Sequence, residues 1–216
     1  MNSSEAEEIY ADTNILVSYV LGHKDRNFEV ADELFKDVAN GKYRMMISNF
    51  ALMETLHALR VIITRIEYQE LSNNLSQQDM IRIANSKKFK DRVNGKSMRA
   101  FQVIIDKITR DPKHFSFEPD GVTYSGDVFS TGLQILLTTS GLIRVYRFRC
   151  RKCNSYTICS KCNTDSEIVY KEANAPDLTH LLISEGLDCK LFFTMDKYFA
   201  NIPMKDRQVE VRVLTK

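Results

Sequence analysis

Two short apolar runs of this chain each end on an aspartate. IYADTN stops at Asp12, and KLFFTMD stops at Asp196, near the far end of the sequence. Two further acids fall at the starts of helical patterns: Glu54 in SNFALMETLHAL and Asp177 in NAPDLTHLL. A carboxylate that follows a buried strand stands where an open α/β sheet presents its ligand-binding edge. Four acids in such settings suggest one negative pocket. At an effective dielectric of 20, two carboxylates 4 Å apart repel by ~4 kcal/mol. Such a cluster persists only if the acids are protonated or a cation neutralises them. Mg²⁺ and Mn²⁺ prefer oxygen ligands, and a pair of such ions can turn water into a nucleophile and stabilise the leaving oxygen of a phosphodiester. Asp177, beside Pro176, also complements a helix dipole. Taken singly, each acid reads as a cap or turn residue. Their order and settings together point to a cation site.

The elements that must position these acids alternate between strand and helix. Residues 9–11 read as a short buried strand, followed by a turn and short helix in NILVSYVLG. Phe28, Ala31, Leu34, Phe35 and Val38 recur at helical spacing, with Gly41 as the stop. YRMMI (43–47) reads as a second strand, with Met45 and Met46 in the core. Ser48 then caps a long helix carrying Leu52, Leu56, Leu59, Ile63 and Ile66. SQQD at 76–79 resembles a capping signal. A helix is expected near 97–110, a loop over HFSFEPDGVTYSGD, an apolar helix over 128–140 and a third strand in LIRVYRF. Helix 177–186, strand 190–195, a helical turn at 197–200 and strand VEVRVL at 209–214 complete the set. Strands alternating with helices predict a parallel sheet covered on both faces.

Composition sets the bounds. At 216 residues the chain suits one domain (1–216) with a sizeable core; 44% hydrophobic and 27% charged residues are ordinary for a globular protein. A net charge of +2 singles out neither a nucleic-acid nor a membrane partner. No apolar run approaches the roughly 20 residues of a membrane-spanning helix, and MNSSEAEEIY is unlike a signal peptide. The expectation is a soluble, cytoplasmic protein.

ADTNILV, SNFALMETLHAL and APDLTHLLISEGLDCKLFFTMDKYFA, in that order, resemble the PIN-domain family of metal-dependent nucleases. The resemblance covers about residues 8–60 and 172–216. It implies a three-layer α/β/α sandwich around a parallel sheet, with Asp12, Glu54, Asp177 and Asp196 as the four catalytic acids. Asp12, Asp177 and Asp196 would hold Mg²⁺ or Mn²⁺, Glu54 would bind metal or position its water, and Asn14 and Thr194 would orient these ligands. The implied activity is an endoribonuclease that attacks single-stranded RNA with a metal-activated water. Dimers are common among relatives, so a homodimer or a protein partner is a further expectation. Compact members, including the toxins of toxin–antitoxin pairs, are much shorter than this chain.

The added length carries C-x2-C-x5-C-x2-C: Cys150, Cys153, Cys159 and Cys162. In a reducing compartment such spacing favours metal over disulfides. Two CxxC turns can offer four thiolates tetrahedrally to a structural Zn²⁺, so a zinc-binding loop inserted at 145–168 is expected. An iron–sulfur cluster is the rival, although its common spacing is absent. RVYRFRCRKC supplies Arg144, Arg147, Arg149, Arg151 and Lys152, interleaved with Tyr146 and Phe148, a mixture that suits single-stranded nucleic acid. Lys87, Lys88, Lys90, Arg92, Lys96 and Arg99 read instead as a solvated helix face. His57 and His180, each three residues after an acid and on the same helical face, could touch the pocket but read first as packing or capping residues, and Cys189 reads as a core thiol. No Gly-rich phosphate loop and no G-x-S-x-G is present. A phosphatase of the haloacid-dehalogenase type would need D-x-D, where this chain has Asn14. Two alternatives to the nuclease stay open: a catalytically silent module that binds RNA or protein, and a toxin of a toxin–antitoxin pair.

Overall fold

The computed structural model describes residues 6–72, 76–117, 145–150, 166–171, 175–197, 199 and 209–215. Five strands form one parallel sheet in the order β3-β2-β1-β6-β7. They are β1 (Glu7–Ala11), β2 (Tyr43–Ile47), β3 (Phe115–Phe117), β6 (Leu191–Thr194) and β7 (Glu210–Val213). The central strand β1 pairs with β2 through Ile9↔Met45 and with β6 through Ala11↔Phe193. Ile9, Tyr10 and Ala11 are fully buried, and all four residues of β6 are buried. Continuous rather than alternating apolar sequence is what a strand covered on both faces requires.

Helices α1 (Thr13–Leu21), α2 (Phe28–Ala39), α3 (Asn49–Ser72), α4 (Gln77–Asn85), α5 (Lys87–Arg110) and α6 (Ala175–Gly186) flank this sheet. Helix α2 turns into β2 through Gly41 at φ 77°, a left-handed position that glycine adopts without strain. Ser48 starts α3, its Oγ accepting from the amide of Ala51 at 3.0 Å. At α4 the expected capping signal is present, with Ser76 Oγ accepting from the amide of Asp79 and donating to its carboxylate. The buried stripe of α3 is Ala51, Thr55, Leu59, Ile63 and Glu67, whereas Ile66, expected on it, is 40% exposed. Glu67 is buried between α3 and α5, ion-paired with Arg92 Nε at 2.7 Å and with Lys96. Two of the six cations expected on a solvated face are therefore committed to one buried carboxylate.

Three expectations need correction. Helix α5 begins at Lys87, ten residues before the periodicity suggested it. Ser86 caps it, accepting from the amide of Phe89, and the buried Phe89, Val93 and Ser97 are hidden in the sequence among lysines. The loop expected after Pro112 opens with β3, whose Phe115 is 1% exposed and stacks on Phe35 with 5.7 Å between ring centroids. Three residues are too few for alternation to show. The strand expected in LIRVYRF is β4 (Val145–Cys150), and it does not join the parallel sheet. It pairs antiparallel with β5 (Ser166–Lys171), from Val145↔Lys171 to Cys150↔Ser166, in a separate two-stranded sheet. A strand read alone does not disclose that its hydrogen-bonding partner is a local hairpin.

The helix expected over 128–140 lies outside the described residues, as do Arg144, Arg151, Lys152, Cys153, Cys159, Cys162 and part of the turn at 197–200. Among the described residues, no helix is long and apolar enough to cross a membrane.

Candidate active site

The chain runs outward from β1 to β2 and β3, then returns to place β6 on the other side of β1. The strand order reverses there, and in open α/β sheets the crevice beyond the strands' carboxyl ends at that point is the usual ligand site. A cavity of about 360 Å³ occupies it, lined by Asp12, Asp177, Asp196, Glu54, Asp25 and Asn27. Four acids from the end of β1, the first turns of α3, the start of α6 and the end of β6 thus share one cavity. Asp25, in the turn before α2, is a fifth carboxylate that no motif announced. The only sequence sign was an Asp-Arg-Asn turn ahead of a helix.

Asp12 sits at the N-cap of α1 but makes no side-chain capping bond, so the simplest reading of a lone aspartate here fails. It is 6% exposed, and its Oδ2 accepts from Thr194 Oγ1 at 2.6 Å and from Asn14 Nδ2 at 2.7 Å. Thr194 Oγ1 in turn accepts from Asn14 Nδ2 and from the amide of Asp196, at 3.1 and 3.0 Å. Asn14 Oδ1 accepts from the amide of Met195, which ties the end of β6 to the start of α1. Burial strips water from Asp12 and holds its carboxyl above the usual range. Facing His180, the Thr194 hydroxyl and the Thr13 amide oppose that rise, and neighbouring Glu54 adds to it.

His180 belongs to the site rather than to plain packing. The ring is 1% exposed. Its Nε2 lies 2.7 Å from Glu54 Oε2 and 3.6 Å from Asp12 Oδ1. Its Nδ1 lies 2.9 Å from the Tyr10 hydroxyl, which is 2.6 Å from Ser48 Oγ. An ionised carboxylate only accepts, so Nε2 carries the proton toward Glu54 and, in the neutral ring, Nδ1 accepts from Tyr10. Thr13 Oγ1 also donates to Glu54 Oε2, at 3.0 Å. A line of hydrogen bonds therefore runs from Ser48 at the head of α3, through β1 and α6, to a carboxylate in the cavity. Sequence reading underweighted His180 because its partners Tyr10 and Glu54 are remote in the chain. His57, by contrast, is exposed and does not line the cavity.

Among the described residues, no three His, Cys, Asp or Glu side chains form a ready-made metal cluster. The acids surround a common space without converging at ligand spacing. Their chemistry fits a hard divalent cation nonetheless: the ionisable groups lining the cavity are all carboxylates, with no thiolate among them. Arg147, Arg149 and Cys150 lie in β4.

No protein-family model matches this sequence, and no curated protein matches it either. Solved structures do. One is VapBC2 from Rickettsia felis bound to a DNA fragment from its promoter. Its TM-score is 0.47 at 11% identity, covering 95% of this chain and 98% of that one. Another is Mycobacterium tuberculosis VapC20, a sarcin–ricin loop cleaving toxin. Its TM-score is 0.45 at 12% identity, covering 89% of this chain and 93% of that one.

Proposed function

We propose that this chain is a PIN-like, metal-dependent endoribonuclease acting on single-stranded RNA. The observation that carries the reading is the convergence of Asp12, Glu54, Asp177 and Asp196, from four remote stretches, on one cavity at the reversal of the sheet. In this reading Asp12, Asp177 and Asp196 hold Mg²⁺ or Mn²⁺, and Glu54 binds the metal or orients the attacking water. Thr194 and Asn14 both hold Asp12 Oδ2 and would thereby orient this carboxylate for a cation. His180 and Thr13 fix Oε2 of Glu54. When bound, the cation supplies neutralisation of charge on the phosphate and a more acidic water. The residues themselves orient the reacting groups in line, and no covalent enzyme intermediate is needed.

Zinc is proposed for Cys150, Cys153, Cys159 and Cys162. What supports it is the spacing, together with the register Cys150↔Ser166, which closes the ends of the connection carrying the other three cysteines. Arg144, Arg147, Arg149, Arg151 and Lys152 are proposed to meet the RNA on the same grounds as in the sequence.

The test is cleavage of single-stranded RNA with Mn²⁺ or Mg²⁺ by wild type and by Asp12→Asn and Asp196→Asn. Loss of cleavage in both folded variants is expected, and cleavage that persists refutes the assignment. The spread of the acids beyond ligand spacing favours one second reading, an RNA-binding module without turnover. Tight binding of RNA that neither metal converts to products would select it.

A further inference from the structure

Beside the acid-lined cavity lies a second cleft of about 400 Å³, lined by Arg26, Asn27, Met195, Lys197, Leu214 and Thr215. Asn27 lines both. Two short segments wall the pair, and each divides its charges between them. Asp25 and Asp196 line the first cavity, and their chain neighbours Arg26 and Lys197 line the second. Hydrogen bonds hold both segments in place. Asp25 Oδ1 accepts from the amide of Asn27 at 2.7 Å, Asn14 Oδ1 from that of Met195 at 3.1 Å, and the Thr194 carbonyl from the amide of Leu214 at 2.7 Å.

Arg26 and Lys197 are exposed, and neither is ion-paired among the described residues. Several other cations are already matched, as Lys36 is by Asp32, Lys42 by Asp37 and Arg92 by Glu67. Two exposed cations beside a carboxylate cavity, unpaired among the described residues, are a poor arrangement for a neutral ligand. For a polyanion they are a good one: the acids repel every phosphate that no metal neutralises, whereas the cations release counterions when a phosphate arrives. Met195 and Leu214 add apolar area on which a ribose can rest.

We propose that this second cleft binds a phosphodiester of the substrate strand neighbouring the one presented to the acids, with Arg26 and Lys197 as its charge partners. The inference rests on the nuclease reading and assigns the strand's path beside the same site.

The experiment uses the full chain and a fluorescein-labelled single-stranded oligoribonucleotide. Affinity is measured between 50 and 200 mM salt with no divalent cation added, and cleavage kinetics are measured with Mn²⁺. For single strands the salt slope falls by about 0.7 per phosphate neutralised, so Arg26→Ala/Lys197→Ala, which frees one phosphodiester, should flatten it by ~0.7 and weaken binding roughly tenfold. KM should rise by a similar factor with kcat unchanged, and Arg26→Lys/Lys197→Arg should restore most of the affinity. Lys113→Ala, an exposed cation before the edge strand on the opposite side of the sheet, is the control. A double alanine variant that matches this control in affinity and slope, or that lowers kcat alone, overturns the proposal and leaves the nuclease reading intact. A wild-type protein that neither binds nor cuts single-stranded RNA overturns both.

Discussion

Replacing Tyr10 by Phe removes a single oxygen from the middle of the sheet and leaves the ring packed on Phe192, 5.7 Å between centroids. That oxygen bonds Ser48 Oγ and His180 Nδ1, at 2.6 and 2.9 Å, and all three residues are buried. Each buried hydrogen bond contributes about 1 kcal/mol net, and leaving a buried partner unsatisfied costs about 1–3 kcal/mol. Both partners keep other bonds, Ser48 to the amide of Ala51 and His180 to Glu54. The expected loss is therefore about 2 kcal/mol. For a chain of this size that lowers Tm by ~4–8 °C. Urea unfolding should show the loss at unchanged m-value. A cycle with Ser48→Ala should give a coupling energy of about 0.5–1.5 kcal/mol, because the two hydroxyls share one bond. The hydroxyl also fixes the ring that holds Glu54, so, if the chain is the nuclease proposed above, its metal-dependent cleavage should fall by roughly 10–100-fold, the usual effect of freeing the support of a metal-site residue. Tyr10→Phe as stable as wild type within about 0.5 kcal/mol, or strict additivity with Ser48→Ala, would refute the claim that this line of hydrogen bonds is a coupled unit.

Burial raises the Asp12 pKa, so the stability linked to its protonated form is full below the unfolded carboxyl pKa and lost as pH rises through the folded one. Metal-free Asp12→Asn should thus gain on wild type in Tm from acidic to neutral pH, and Mn²⁺ should raise the wild-type Tm more than the variant's. Burial pushes the Cys189 thiol up to about 12. Native Cys189 should resist thiol reagents, and stability should fall by at most ~1.4 kcal/mol per unit between about pH 9 and 12, a slope that Cys189→Ala removes. Glu67→Gln should cost about 1–3 kcal/mol in urea unfolding, since its buried oxygens lose charged partners, Arg92 and Lys96, that can rehydrate.

Local signals in this chain were strong wherever one element's own residues decide its form. YRMMI is a strand in which Tyr43, Met45, Met46 and Ile47 are buried around an exposed Arg44, and Ser48, Ser76 and Gly41 mark ends by hydrogen bonds or backbone freedom that act within a few positions. The four acids were legible for a related reason: each follows or opens a recognisable element, and their order along the chain resembles one family. The start of α5 was less legible, because Phe89 and Val93 stand among lysines whose long side chains leave the buried stripe short of contrast.

What sequence alone determined was the sequence of elements around the acids and the oxygen-rich chemistry they could offer. Tertiary structure alone decided the partners. The pairing of Tyr10 with His180 and of His180 with Glu54 depends on distances between positions far apart in the chain, and the sorting of Asp25 from Arg26 into adjoining clefts depends on what packs around them. Periodicity reports which face of an element is buried, but hydrogen bonds and Coulomb forces act through space over a few ångströms. Only the folded chain sets that spacing.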